Sequence, residues 1–457
     1  MNLVRSFFFS LVVSVAVFTP ALLRAQREAQ AAKPNAPAVR VSPEDLHRAL
    51  APNVKDLAID ENRVRNHVMR PQHIIGVVSD HGRDDGKIEF VPRRPIVGGL
   101  RVGHHLDVDA FGKALHAALK DEVAGYAMRL RQHGHTIWTL EWQWAETPPD
   151  GGEGWNPDRQ MHVASVSKLI TAIAMTKLLN EKNISYDAKI IDYLPAYWAK
   201  GPNIGKITFR NLMTHTSGFH TDQTDFESMK AAVAAGVSTN SSAADYVGHY
   251  HYENMNFGLC RVMIPVINGN IAEGVNFAPP PLPSALNDQI WDAITIAGYN
   301  QYEQNKVFAP AGVTTATLDH PAAGVLAYKF PVTTGGWNSG SLESVSGGAG
   351  WHLSVDQLLD VMGTFRRGGS IMSPAAAQTM LDNGFGIDLV GVSTPAGKLY
   401  NKNGLWHDAD VDGRTEQSLA YFLPEDMELV VLANSPIGNP EKFFRDVVTQ
   451  IYVDNIK

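Results

Sequence analysis

His162-Val163-Ala164-Ser165-Val166-Ser167-Lys168-Leu169 opens a run, Ser165 to Leu179, that is apolar almost all round apart from Ser167, Lys168 and Lys177. Such a run predicts a helix with most of its surface buried, and a lysine there needs a reason. The S-x-x-K spacing sets the Ser165 hydroxyl and the Lys168 ammonium one turn apart on the same helix face. A serine attacks only after losing its proton. A lysine in a poorly solvated helix loses part of its preference for the charged form, so it can relay that proton or stabilise the developing anion. Free amides at the helix N-terminus favour negative charge as well. A chance S-x-x-K is expected about once in a chain of this length, and here it occurs once, so its setting carries the weight.

Downstream, Tyr252-Glu253-Asn254 is the one place where an asparagine follows a tyrosine by two positions. If these residues lead into a helix beginning near Asn256, both side chains face one cavity while Glu253 points away. Tyrosine is a poor base in water, with a reference pKa of about 10, but flanking ammonium groups favour its phenolate. Near the end, Lys402-Asn403-Gly404 lies in a strand region, where the lysine can point into a cleft and the glycine permits close backbone approach. Read singly, Tyr252 is a buried tyrosine with a satisfied hydroxyl and Lys402 to Gly404 an ordinary strand end.

In this order the three motifs resemble the serine β-lactamase and penicillin-binding family, in the branch holding class C β-lactamases, D-alanyl-D-alanine carboxypeptidases and related esterases. Asn211 to Phe219, Val307 to Val313, Gly347-Gly348-Ala349-Gly350-Trp351 and Glu428 to Ser435 are also similar to that family, and the resemblance covers about Leu106 to Lys457. It implies an α/β (α+β) serine β-lactamase/transpeptidase-like fold, an antiparallel sheet flanked by helices with an inserted, mainly helical domain. It also implies roles: Ser165 as nucleophile, Lys168 as its proton partner, Tyr252 as general base, Asn254 as positioner and Lys402 as electrostatic clamp. The amides of Ser165 and Leu405 would form the oxyanion hole. Which of Lys168 and Tyr252 takes the first proton stays open. One departure matters: Asn403 stands where the family usually carries Thr or Ser, so the hydroxyl that commonly helps hold a substrate carboxylate becomes an amide. Recognition of β-lactams and D-alanyl peptides by Asn403, Gly404 and Leu405 is thereby put in question.

The element pattern fits such a fold. An amphipathic helix from about Val108 to Glu122 precedes two strand-like runs, Gly125 to Arg131 and His135 to Trp144. The chain ends on three more, Leu399 to Trp406, Glu416 to Leu423 and Met427 to Ala433, then a helix from Pro440 to Val453. Between them, about 183–350 reads as a helical insertion. It is longer than usual around Asn268 to Ile296, where Pro279-Pro280-Pro281-Leu282-Pro283 is either a cleft wall or a spacer, and substrate choice is expected there.

Before about residue 106 the reading is thinner. Arg5 and the apolar run Phe7 to Leu23, ending near Ala25, predict a secretory signal over 1–25, with an uncleaved anchor as the alternative. Residues 26–105 read as a linker and an N-terminal extension of unknown role, with a hairpin expected from His73 to Ser79 and Lys87 to Val91. The protein is therefore expected to be periplasmic or secreted, without stable membrane insertion after signal cleavage. The single cysteine, Cys260, excludes an internal disulfide. In 457 residues that are 44% hydrophobic, a net charge of -8 argues against nucleic acid or anionic membrane as partner, leaving a small-molecule or peptide substrate, with cell-wall peptides among the candidates.

No cofactor and no metal ion is expected. Asp408-Ala409-Asp410-Val411-Asp412-Gly413 opens like a calcium loop, but Leu419 holds the twelfth position where a bidentate acid is required. It reads better as a solvated hairpin connection. His249 and His251 alternate as two ligands on a strand would, yet no neighbouring acid cluster in the sequence completes a site. No G-x-S-x-G or H-E-x-x-H occurs. Two functional alternatives remain beside an esterase or D,D-peptidase-like hydrolase: a β-lactamase, and a non-catalytic sensor that binds penicillin or peptidoglycan without turnover.

Overall fold

A computed structural model describes residues 42–69, 76–78, 103–221, 224–280, 282–408 and 413–457. The expected signal peptide, most of the expected hairpin and the calcium-like positions 409–412 lie outside the described residues. Among the described residues ten strands follow in chain order: β1 Gly76–Val78, β2 Gly125–Gln132, β3 His135–Glu146, β4 Glu153–Gly154, β5 Met161–His162, β6 His352–Leu353, β7 Leu389–Thr394, β8 Gly397–Asp408, β9 Thr415–Leu423 and β10 Met427–Ala433. The helices are α1 Pro43–Leu50, α2 Glu61–Met69, α3 Val108–Leu119, α4 Ser167–Glu181, α5 Phe209–Met213, α6 Phe226–Ala235, α7 Met255–Asn268, α8 Ser284–Glu303, α9 Val355–Gly363, α10 Pro374–Asn383 and α11 Phe444–Asp454.

An eight-stranded sheet runs in the order β1, β8, β9, β10, β2, β3, β4, with β7 also on β8, and every pairing is antiparallel. Side chains alternate across a strand, and both faces of this sheet are covered. Tyr126, Met128 and Leu130 of β2, with Leu419 and Tyr421 of β9 and Leu429 and Val431 of β10, meet Phe111 and Leu115 of α3 and Phe444, Val448 and Tyr452 of α11. The alternate residues Ala127, Ala420, Phe422, Val430 and Leu432 turn to the other face, into a larger core built on α4, α7 and α8. The expected α+β sandwich with a helical middle is thus the observed architecture, and its sequence-defined strands fall within a few residues of their expected limits.

Parts of the N-terminal extension are integral to this body. Leu46, Leu50, Val64 and Val68 of α1 and α2 are buried in the helical core. Asp292 of α8 receives His67 Nε2 at 2.9 Å and Arg261 Nη1 at 2.8 Å, so one buried carboxylate ties α2 to α7 and α8. β1 pairs with the last residues of β8, Val78 opposite Trp406. The proline run leads into α8, and Glu273 and Val275 just before it bond Ala196 and Trp291; none of the contacts around Ser165 described below comes from that stretch.

Candidate active site

Ser165 is delivered by a short, crowded turn. β5 pairs with β6, the Val163 amide donates to the Trp351 carbonyl at 2.9 Å, and the Ser418 hydroxyl donates to the Val163 carbonyl at 2.6 Å. Ala164 then takes φ +46°, in the left-handed region that a Cβ disfavours. Ser165 lies in the single turn Ala164–Val166, just before α4. The helix expected from Ser165 therefore starts two residues later, because the backbone reversal at Ala164 passes through a tighter turn first.

Ser165 and Lys168 are fully buried. Lys168 Nζ donates to Ser165 Oγ at 2.9 Å, to Asn254 Oδ1 at 2.7 Å and to the Gly348 carbonyl at 2.8 Å. Asn254 Oδ1 and the Gly348 carbonyl cannot return a proton to it, whereas Ser165 Oγ can. Tyr252 Oη stands 3.0 Å from Ser165 Oγ. The serine oxygen thus sits between an amine and a phenol, a geometry suited to proton relay. Lys168 Nζ and Lys402 Nζ lie 4.9 Å and 5.0 Å from the Tyr252 ring centre, close enough for cation–π attraction. Tyr252 and Asn254 come from the segment entering α7, which starts at Met255, and Glu253 is buried beside His251.

Lys402 is 1% exposed and its ammonium bonds Asp388 Oδ1 at 2.8 Å, while the Asn403 amide donates to Asp388 Oδ2 at 3.0 Å. Asp388, itself buried, compensates a charge that would otherwise be costly to place there. Strand alternation sets Lys402, Gly404 and Trp406 on the face toward Ser165, with Trp406 packed on Ala164, and sets Asn403 and Leu405 on the other. Gly404 has a sharper purpose than leaving room for substrate. A Cβ on it would come within 2.6 Å of the Val163 carbonyl and 2.8 Å of the Ser165 amide, so β8 can lie against the nucleophile turn only because residue 404 has no side chain. Gly404→Ala should therefore push β8 and the turn apart. An approximately 100-fold fall in kcat/KM is expected, since displacement by about 1 Å costs that much at a positioned site, and circular dichroism should still report a folded chain.

Several residues of the site carry no signal in the linear sequence. Asp388 precedes β7 with nothing in its spacing to link it to Lys402. Gly348 serves through its carbonyl. His215 stacks on Tyr252, with ring centres 4.2 Å apart and planes 27° apart, and its Nδ1 accepts the Glu253 amide at 3.1 Å. Behind the serine, His162 Nε2 accepts the Gly350 amide at 3.0 Å and Nδ1 faces Glu416 Oε2 at 3.0 Å. Both residues are fully buried. Desolvation, then the charge of Lys168, pushes His162 down to about 3, and burial raises the Glu416 carboxyl well above its usual range. Burial thus disfavours charge on both members of this pair, which supports the turn beneath Ser165.

The expectation that no acid cluster completes a site around His251 needs correcting. Asp245 and Glu253, one contributed from six residues upstream and one from two downstream, both reach the His251 ring, and His220 joins them across the loop. His249 is elsewhere, stacked on Tyr246 at 5.2 Å.

Residues 110–269, which carry Ser165, Lys168, Tyr252 and Asn254, match the Beta-lactamase family model. Over that stretch the sequence is β-lactamase-like. Solved structures agree in fold. FmtA from Staphylococcus aureus superposes with a TM-score of 0.55 at 14% identity, covering 88% of this chain and 96% of that one. A β-lactamase/D-alanine carboxypeptidase from Pseudomonas syringae gives 0.54 at 15% identity, covering 75% and 97%. EstCE1, a hydrolase with promiscuous acyltransferase activity, gives 0.53 at 15% identity over 76% and 99%. Two Dichelobacter nodosus chains that bear the name fimbrial assembly protein FimD, of serogroups D and H1, are 29% identical over 119 residues, 24% of this chain and 30% of theirs. The β-lactamase-family fold of serine hydrolases therefore accounts for the domain, and the short overlap with the FimD chains leaves their whole-protein roles outside it.

Proposed function

We propose that the protein is an exported serine hydrolase that acts through a covalent acyl-enzyme on Ser165. The observation that carries this reading is the placement of Lys168 Nζ and Tyr252 Oη at 2.9 Å and 3.0 Å from one buried serine oxygen. In acylation, the Ser165 Oγ–H proton passes to Tyr252 or Lys168 as Oγ bonds the substrate carbonyl carbon. The tetrahedral anion forms against the main-chain amides of Ser165 and Leu405. Collapse breaks the bond to the leaving group, which takes up the relayed proton, and leaves an ester on Ser165. Water activated by the same phenol or amine hydrolyses that ester and returns the proton. Lys402, paired with Asp388, lends positive potential to the phenol side of the relay. Because Ser165 is fully covered, binding must part the side chains above it, and half-buried Tyr252 is the member of the relay that reaches toward solvent.

Esters, amides and peptides are the proposed substrate class, with export following from the apolar N-terminal run. Esters rank ahead of β-lactams because position 403 offers a substrate carboxylate no hydroxyl: it carries an amide, and that side chain lies on the sheet face away from Ser165. Incubation with a chromogenic ester and a chromogenic cephalosporin, followed by intact mass, tests the reading. Continuous ester turnover with weak or absent cephalosporin cleavage is expected. A lasting adduct without turnover would make the protein a sensor, and rapid cephalosporin hydrolysis would make it a β-lactamase.

A further inference from the structure

Beside the Tyr252 segment lies a second cluster of chemically active side chains that the hydrolytic relay does not use. His220 Nδ1 stands 2.9 Å from His251 Nε2 and 3.3 Å from Asp245 Oδ2. His251 Nδ1 is 2.8 Å from Asp245 Oδ1, and its Nε2 is 3.4 Å from Glu253 Oε1. One ligand atom from each of His220, Asp245 and His251 falls within 4.8 Å of the other two. Ligands bound at about 2.0–2.2 Å around a tetrahedral ion stand roughly 3.3–3.5 Å from one another, so this spacing needs only small side-chain adjustments to close on one ion.

The surroundings of His251 fit the same reading. Its Nδ1 is turned to Asp245, and a proton on Nε2 would be directed at Glu253 Oε1, 3.4 Å away. A carboxylate that orients a histidine through its second nitrogen is the usual support of a metal-bound imidazole. As ligands and support, two neutral imidazoles and two carboxylates carry a combined charge near minus two, which a divalent cation balances. Two nitrogens with carboxylate oxygens suit zinc, whereas calcium and magnesium ask for oxygen ligands throughout. His220 is 67% exposed, leaving the cluster open to an ion from solvent, while Glu253 is 2% exposed at its base.

We propose that His220, Asp245 and His251, with Glu253 bracing the His251 ring through its other nitrogen, form a zinc site that fastens the 245–253 loop carrying Tyr252. The fastening acts at short range. The His251 amide donates to the His215 carbonyl at 2.8 Å, the Glu253 amide donates to His215 Nδ1, and the His215 ring is stacked on Tyr252. An ion held by His251, whose ring is braced by Glu253, thus secures both flanks of the phenol that touches Ser165. Its role is structural, and it takes no part in the proton relay.

Full-length protein freed of metal with chelator should be equilibrated with zinc chloride alone, dialysed and analysed for metal content and by titration calorimetry. His220→Ala and Asp245→Asn serve as variants, since both positions lie outside the relay and His220 is exposed enough to be replaced without a core defect. One zinc per chain is expected in the wild type, with affinity at least tenfold weaker in each variant, about the scale of losing a metal-supporting residue. Hydrogen exchange over 245–253 should slow on zinc addition in the wild type and not in His220→Ala. Calcium and magnesium should neither compete nor protect. Zinc binding that survives His220→Ala undiminished, no binding to the wild type, or binding without added protection over 245–253 would each overturn the proposal. None of these readouts depends on substrate turnover, so they stand apart from the test of hydrolysis.

Discussion

Ser165→Ala is expected to abolish labelling by a fluorophosphonate and to lower ester turnover by at least about 10⁴-fold, the scale on which removing a nucleophile acts in serine hydrolases. Intact mass gives the decisive reading, a single adduct on the wild type and none on the variant. The fold should survive. Ser165 gives up one hydroxyl whose contacts, Lys168 Nζ and Tyr252 Oη, are polar groups able to take up a water or to bond elsewhere in the site. An adduct that persists in Ser165→Ala would move the nucleophile to another residue and dismantle the mechanism, whatever the fold.

Lys168→Met and Tyr252→Phe form the second expectation. Each removes one polar atom from the serine oxygen while conserving much of the volume. Each should cost about 10²–10⁴ in kcat/KM, the range for a positioned acid or base. The two losses should not add. If proton movement runs along one line from Tyr252 through Ser165 to Lys168, the double variant will be little worse than the more damaging single one. Tyr252→Phe should leave the thermal midpoint close to the wild-type value. Lys168→Met should lower it, because Asn254 Oδ1 and the Gly348 carbonyl lose a donor in a fully buried place. Equal losses that multiply in the double variant would mean two independent roles.

What could be read from the chain in advance follows a physical division. Apolar periodicity reports which face of an element is covered, so the strands at 125–146 and 397–433 and the helices flanking them were legible from alternation and amphipathic spacing. Ser165 and Lys168 were legible because both lie on one turn of chain. Tyr252 and Lys402 needed a family resemblance to be connected to them, since nothing local says that residues this far apart in sequence will meet. Asp388 and His215 were invisible for the same reason: their value lies in what they face across the fold. The His251 cluster is the clearest case. An alternation of two histidines, His249 and His251, suggested a pair of ligands, but the fold turns His249 onto Tyr246 and assembles its group from His220, Asp245 and Glu253 instead.

The left-handed backbone at Ala164 sets a trade between robustness and reactivity. A residue with a Cβ costs of order 1 kcal/mol in that conformation, a penalty glycine does not carry. Glycine at this position would relieve the strain of the folded state, yet it would also free the main chain just ahead of the attacking oxygen to sample other directions. A hydrolase selected for longevity alone would tend to lose alanine here, and one selected for speed has a reason to keep it.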